Sequence, residues 1–435
     1  MSYPTYPNTY KHSFEVAGRS ISVEVGKFSE QVSAAVLVTC GETIVHSTVA
    51  LGRKVNLGYF PLSVEFVEKL YSSGTIKGSR WVKRDGRPSD PEILKARLID
   101  RSLRPLFPDG LTHEVQVINT VLSYDGQNDP DMLGLLASSL ALHISDIPFD
   151  GPLSGVRVGY FPESNQYIFN PTTAERENSQ LDMIVSGNSQ TVVMVEAGGN
   201  EVSEAVIVEA LVQAQKVLGE LCEETLKVAQ EIGKTKLELI SEEERAATAA
   251  QAALVAELKD HFASEIEAIV KKSALLEPTG QDEVVTSMVE WLNAQRSDET
   301  LVTEKEVKSA LYDLTKQAAR AMIINTEVRP DGRATDEIRQ IWCELDLFPR
   351  THGSALFKRG ATQAITITTL GSPSLSQYVE GINGMDVRHY MHFYNMPPYA
   401  SGEAGRFGFP KRREIGHGAL AERALEPMIP SQTGK

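Results

Sequence analysis

The feature that most constrains this chain is that it repeats itself. Ser33 to Gly52, SAAVLVTCGETIVHSTVALG, matches His352 to Gly371, HGSALFKRGATQAITITTLG, with Gly41 over Gly360 at an offset of 319 residues. In each copy a β-rich run meets a glycine and is followed by a run of β-branched residues, which predicts a hairpin. Further on, DRSLRPLFP, Asp100 to Pro108, matches ERALEPMIP, Glu422 to Pro430, at an offset of 322. The basic clusters Lys83-Arg84-Asp85 and Arg412-Arg413-Glu414 precede these segments. Two matches nearly in register predict one α/β unit present twice.

After Pro105 the first copy continues through predicted strands at Val115 to Ser123, Leu181 to Ser186 and Thr191 to Glu196. Its last helix is marked by Ile207, Leu211, Ala214, Leu218 and Leu221, an apolar stripe with steps of 4, 3, 4 and 3 that runs on to Gly233. By this internal template the second copy is expected to be truncated, short of its back half. Between the copies, Leu237 to Asn325 is rich in Ala, Glu, Leu and Lys, with Pro278 and Gly280 as its breakers. Ser241 ahead of Glu244 and Thr303 ahead of Glu306 are capping-box starts, and the stretch predicts about three helices. The expected division is therefore 1–235, a first α/β domain; 236–325, an all-α linker domain; and 326–435, the front of a second α/β domain. A length of 435 residues suits two or three such domains.

Composition restricts the chemistry. With 43 basic and 58 acidic residues the net charge is −15, so a polyanion site must be local rather than a general basic coat. Cys40, Cys222 and Cys343 stand far apart without CxxC spacing, which argues against a disulfide framework or a zinc site. MSYPTYPNTYKH carries no signal pattern, and Met132 to Ile144 is too short to span a bilayer, so a cytoplasmic protein without membrane association is expected.

The local exception is Lys77 to Arg104, where nine basic residues face four acidic ones. Arg97, Arg101 and Arg104 share one face of a predicted helix starting at Pro91, suited either to phosphate contacts or to bracing pairs with Asp100 and Glu92. Trp81 beside Lys83 and Arg84, between Gly74, Gly78 and Gly86, combines stacking with cationic character. In the second copy, GFPKRREIGHG places Arg412, Arg413 and His417 in a glycine-rich loop ahead of a predicted helix, where backbone can approach phosphate closely. Two decoys are set aside. Gly233-Lys234-Thr235 follows helix rather than strand and lacks the earlier glycine of a phosphate-binding loop. His389 and His392, three apart in a β-rich run, would face opposite sides of a strand.

KRDGRPSDPEILKARLIDRSLRPLFPDG, LFPRTHGSALFKRGATQAITITTLG and HFYNMPPYASGEAGRFGFPKRREIGHGAL, within the duplicated architecture, closely resemble the polynucleotide phosphorylase family. The resemblance implies an α/β (α+β) fold of duplicated ribonuclease PH-like domains, of the ribosomal protein S5 domain 2-like class, joined by an all-α linker. It implies a cytoplasmic homotrimeric ring that degrades single-stranded RNA processively from its 3′ end. Inorganic phosphate would be the co-substrate, nucleoside diphosphates the products, Mg²⁺ the cofactor, and degradosome proteins further partners. Carried over by position, Lys83, Arg84 and Arg87 belong to the RNA-gripping loop, with Trp81 as its aromatic residue and Val82 where a second aromatic is usual. By the same carry-over Arg412, Arg413 and His417 are active-site residues around the phosphate and the RNA 3′ end, while Arg97 and Arg101 are added to the RNA-binding set from their helix-face spacing alone. The family's serine-rich phosphate loop and metal-binding aspartates have no counterpart here. The segment at Asp182 has Ile184 where the family has lysine, so no metal ligands are assigned, and the chain alone is expected to be inactive or nearly so. The alternative is a noncatalytic RNA-binding ring subunit.

Overall fold

The computed structural model describes residues 9–55, 57–84, 86–297 and 301–429. Asp85 of the first basic cluster and Pro430 of the second matched segment lie outside the described residues. The chain divides into two compact units, residues 1–239 with 373–435 and residues 240–372.

The first unit begins with β1 (Tyr10–Val16), β2 (Arg19–Val25), β3 (Ala34–Cys40), β4 (Thr43–Lys54) and β5 (Leu62–Glu68), followed by α1 (Asp90–Leu103) and β6 (His113–Ser123). These strands form a six-stranded sheet in the order β1-β2-β3-β4-β6-β5, antiparallel except for the parallel pairing of β5 with β6. Burial along β4 alternates with a period of two, as one buried face requires. Next come α2 (Pro130–Ile144), β7 (Ser154–Phe161), β8 (Gln166–Phe169), α3 (Thr173–Arg176), β9 (Leu181–Gly187), β10 (Val192–Gly199) and α4 (Glu204–Ile232). A second sheet has the order β10-β9-β7-β8.

The run Met132 to Ile144 is the central helix of this core: all of α2 except His143 is buried, because it packs on both sheets. Its two serines are satisfied, Ser138 donating to Asn119 Oδ1 at 2.8 Å and Ser139 accepting from the Leu153 amide at 3.0 Å. No described helix is long and apolar enough to cross a membrane. The stripe of α4 is borne out in its buried Ala214, Leu218 and Leu221, and Gly233 ends the helix, so Gly233-Lys234-Thr235 is a helix terminus.

In the second unit α5 (Glu242–His261), α6 (Ala263–Ala274), α7 (Gln281–Asn293) and α8 (Glu304–Thr326) share a core of their own. Both expected capping boxes are present, at Ser241 and at Thr303. Four helices are described here rather than three. The unforeseen break is at Phe262, where no glycine or proline signals it; its ring is 6% exposed and packs edge-on to Trp291. The unit also holds β11 (Ile341–Leu345), β12 (Gly353–Arg359) and β13 (Thr362–Thr368), an antiparallel sheet in that order.

The chain then contributes β14 (Gln377–Gly381), β15 (Gly384–Arg388) and α9 (Arg412–Leu425) to the first unit. The duplication is visible in detail. Cys40 pairs with Thr43 and Arg359 with Thr362, closing two-residue turns at Gly41 and Gly360 with φ of +59° and +61°. Helices α1 and α9 match end for end at the offset of 322, each followed by a short 3-10 turn. Glu92 accepts from the amides of Ser89 and Glu68, and its counterpart Glu414 from those of Lys411 and Met396. In this register Arg412-Arg413-Glu414 corresponds to Asp90-Pro91-Glu92 rather than to Lys83-Arg84-Asp85. The two basic clusters are therefore not equivalents, and the second is an addition of its own copy.

Candidate nucleic-acid interface

The sequence placed Arg412, Arg413 and His417 in a loop ahead of a helix; the structure places all three on α9, in its first two turns. Glu414 makes this possible by capping the helix start, and the two amides it accepts hold its carboxyl below the usual carboxylate range. Helix α9 packs against α1, so the two equivalent helices of the two copies meet.

Glycines permit that contact. A Cβ on Gly416 would lie 2.6 Å from Arg97 Cζ, and one on Gly418 would lie 2.9 Å from the His392 carbonyl oxygen. The first position leaves room for a guanidinium and the second for backbone. Arg97 is thereby carried into the seam, where burial and the guanidiniums of Arg101 and Arg413 pull its pKa below the ordinary arginine value, against the opposing pull of Glu196 and Asp100. Arg101 and Arg413 are exposed. Among the described residues none of the three forms an ion pair. Two cations of α1 and one of α9 thus converge, while the nearby carboxylates Asp100 and Glu196 are engaged by Arg104 and Arg423, an arrangement that favours an anionic occupant.

The remaining cations are used differently. Arg104 pairs with Asp100 at 2.7 Å and donates to the carbonyls of Phe60 and Leu62, so it braces the fold, while Glu92 is taken up by capping. Arg412 pairs with Glu65 and donates to the Val64 carbonyl at 2.6 Å, tying the start of α9 to β5. At the other end Arg423 pairs with Glu196 of β10 at 2.8 Å. His417 packs edge-on to Tyr394 with ring centroids 5.0 Å apart.

The described residues of the loop from Arg80 to Ser89 are exposed, Trp81 by 88%. Lys83 Nζ donates to the Lys77 carbonyl at 2.7 Å, bracing the loop internally, and the Gly78 amide donates to Glu380 of β14 at 2.6 Å. Arg87 lies with its guanidinium 4.8 Å from the ring centroid of Phe409. Sequence reasoning did not single out Phe409, Glu65 or Glu380, since each acts through a partner some 300 residues away.

Asp182 is not free for a metal: Arg157 donates to it at 2.6 Å and 2.8 Å while also pairing with Asp131. Among the described residues no group of three or more His, Cys, Asp or Glu is arranged to hold a metal ion. His389 and His392 follow β15 rather than lying within it; His389 hydrogen-bonds Ser376 and His392 hydrogen-bonds Tyr390, so their separation comes from different partners rather than from strand alternation.

Comparison with known proteins agrees with this architecture. The 3′ exoribonuclease family domain 1 matches residues 17–148 and again 337–435, more than half of the chain and once in each copy. The chain belongs to the 3′ exoribonuclease family. Domain 2 of that family matches residues 151–217, and the polyribonucleotide nucleotidyltransferase RNA binding domain matches residues 278–334. The polyribonucleotide nucleotidyltransferase of Caldicellulosiruptor bescii is 43% identical over 97% of this chain and 59% of its own length. That of Caldicellulosiruptor saccharolyticus is 44% identical with the same coverage. The chain therefore spans somewhat under two thirds of the curated relatives it matches. Rice Rrp46, a solved structure, aligns with 50% of this chain and 96% of its own at 14% identity and a TM-score of 0.41. The resemblance to polynucleotide phosphorylase and the duplicated ribonuclease PH-like fold with an interposed helical region are borne out.

Proposed function

We propose that this chain forms the RNA-gripping portion of a polyribonucleotide nucleotidyltransferase, divided into domains at 1–235, 236–325 and 326–435. The full activity in this reading is processive 3′ to 5′ phosphorolysis of single-stranded RNA, in a cytoplasmic homotrimer with degradosome partners. An oxygen of inorganic phosphate attacks the phosphorus of the terminal phosphodiester, its bond to the penultimate 3′ oxygen breaks, and the products are an RNA one residue shorter and a nucleoside diphosphate. Two anions must approach one another, so the surrounding cations have to offset their repulsion. The observation that carries the reading is the meeting of Arg97, Arg101 and Arg413 at the α1–α9 seam without a direct ion pair, the nearby Asp100 and Glu196 being held by Arg104 and Arg423. Arg101 and Arg413 contact backbone phosphates, Arg97 supports them from the half-buried side, and Arg412 positions α9 through Glu65. Lys83, Arg84 and Arg87 hold the strand further along, with Trp81 as a stacking surface, and His417 lies one turn along α9 from Arg413. Mg²⁺ supplies charge neutralisation in the family, but the described residues do not fit it.

Salt dependence tests the interface. Affinity for single-stranded RNA falls steeply with added salt, and Arg101→Gln and Arg413→Gln each reduce the slope of log affinity against log salt by roughly 0.7. Salt-independent binding overturns the reading. Offered poly(A), phosphate and Mg²⁺, the 435-residue chain releases nucleoside diphosphates at a small fraction of a complete enzyme's rate or not at all. Rapid release overturns the assignment of a binding portion only.

A further inference from the structure

Arg87 and Phe409 occupy the same position of the two copies at the offset of 322, each followed by proline and then by the N-cap residue of α1 or α9. They also touch, guanidinium to ring. The two equivalent loops therefore meet at a point where one copy supplies a cation and the other an aromatic ring. Arg87 covers one face of that ring, yet Phe409 remains 79% exposed. A large apolar side chain this open, beside a proline and at the base of a helix, is a rigid platform with a free face.

Its surroundings are cationic. Arg406, Lys411 and Arg413 lie within four residues of Phe409, Arg84 is on the facing loop, and among the described residues none of the four forms an ion pair. An apolar protein partner would leave these charges to be desolvated, whereas a nucleotide matches both features at once. Its base has a π face for the ring, and its phosphate has a charge for the arginines.

We infer that the open face of Phe409 is a base-stacking site for single-stranded RNA, backed by Arg87 and completed by Lys411 and Arg413 at the adjacent phosphates. This rests on the RNA-binding reading above and adds to it a second aromatic position, contributed by the second copy, where the first-copy loop has Val82 beside Trp81. Because every base has a π face, the site selects for unpaired nucleotides rather than for a sequence.

The test compares a labelled oligoadenylate with inorganic polyphosphate, which presents the charge without bases, on the full 435-residue chain. Phe409→Ala and Phe409→Leu are expected to weaken oligoadenylate binding by roughly 5- to 100-fold, the leucine failing because apolar volume does not replace a ring. Phe409→Trp is expected to retain binding, with its indole fluorescence quenched by adenine, and polyphosphate affinity stays unchanged in all three. Wild-type oligoadenylate affinity in Phe409→Ala overturns the stacking site while leaving the RNA interface intact. An equal loss for polyphosphate overturns it too, by showing an electrostatic or folding defect. If the wild-type chain binds neither probe, the RNA-binding reading falls and the stacking site with it.

Discussion

The hairpin of β3 and β4 and that of β12 and β13 have the same lengths of connection, the same two-residue turn and a glycine at nearly the same positive φ, yet their environments are opposite. In the first, Val36, Val38, Val45 and Val49 are fully buried, because α2 packs on the hairpin and β4 is extended by β6, with Val45 beside Val121 and Val49 beside Val117. In the second, Phe357 is 42% exposed and Ile365 62%, and among the described residues no strand pairs with the outer edge of β13. Turn chemistry and strand propensity are local and survive duplication. Burial belongs to whatever packs against the strands, so equal sequences carry unequal energies.

The largest effect is expected at the ionic knot of the first copy, around Arg157. Burial works against the charge on Arg157, but Asp131, Asp129 and Asp182 outweigh it and raise its pKa. Burial alone would likewise raise the Asp129 carboxyl, yet Lys95, Arg157 and Arg176 hold it below the usual range. Arg157→Met strands these carboxylates and is expected to destabilise the first unit by about 3–5 kcal/mol in urea denaturation. A loss of less than about 1 kcal/mol would show that the knot is hydrated and adds little.

The hairpins themselves are compared by truncation. Val38→Ala should cost about 2 kcal/mol, whereas its counterpart Phe357→Ala should cost about 1 kcal/mol or less, although it removes more atoms. The reverse order, read from thermal melts of the two variants, would mean that the second hairpin is buried in solution.

A smaller effect separates the two turns. Gly41→Ala and Gly360→Ala meet the same backbone penalty of about 1 kcal/mol at positive φ. Only at Gly41 would the added methyl also lie 2.7 Å from the Asn128 amide and from Asp125, whereas at Gly360 it meets the movable Arg339 side chain. The Gly41 variant is therefore the less stable, and equal losses would remove the environmental difference.

The smallest effect is a pH dependence at Asp125 of the first copy. Burial disfavours the Asp125 carboxylate, but hydrogen bonds from Asn128, Gln127 and Thr43 overcome this and lower its pKa from 3.8 to about 2. A carboxyl with a depressed folded-state pKa contributes stability that is complete above the unfolded value and is lost as pH falls from 3.8 toward about 2. Asp125→Asn should flatten that part of the acid limb in a pH series of melts, and an unchanged limb would assign it to other carboxylates.

The candidate interface was legible to very different degrees. The capping boxes at Ser241 and Thr303 and the glycine turns could be read directly, because each depends on residues two to four apart. Arg104 could not be told from Arg97 by spacing, since both lie on one helix face; only the approach of Asp100 to one and of Gly416 to the other separates a brace from an interface cation. The break at Phe262 was hidden for the same reason, because the ring turns inward to Trp291 and no local signal records that.

By itself the sequence determined the duplication, the helical insert, the hairpins and the family, all of which rest on short-range patterns that repetition makes visible. Only the tertiary structure decided that α1 meets α9, that Arg412 is tied to Glu65 while Arg413 stays open, and that Phe409 stands against Arg87. Those pairings join residues more than three hundred positions apart, and their energies depend on distance and burial in space, which no pattern along the chain encodes.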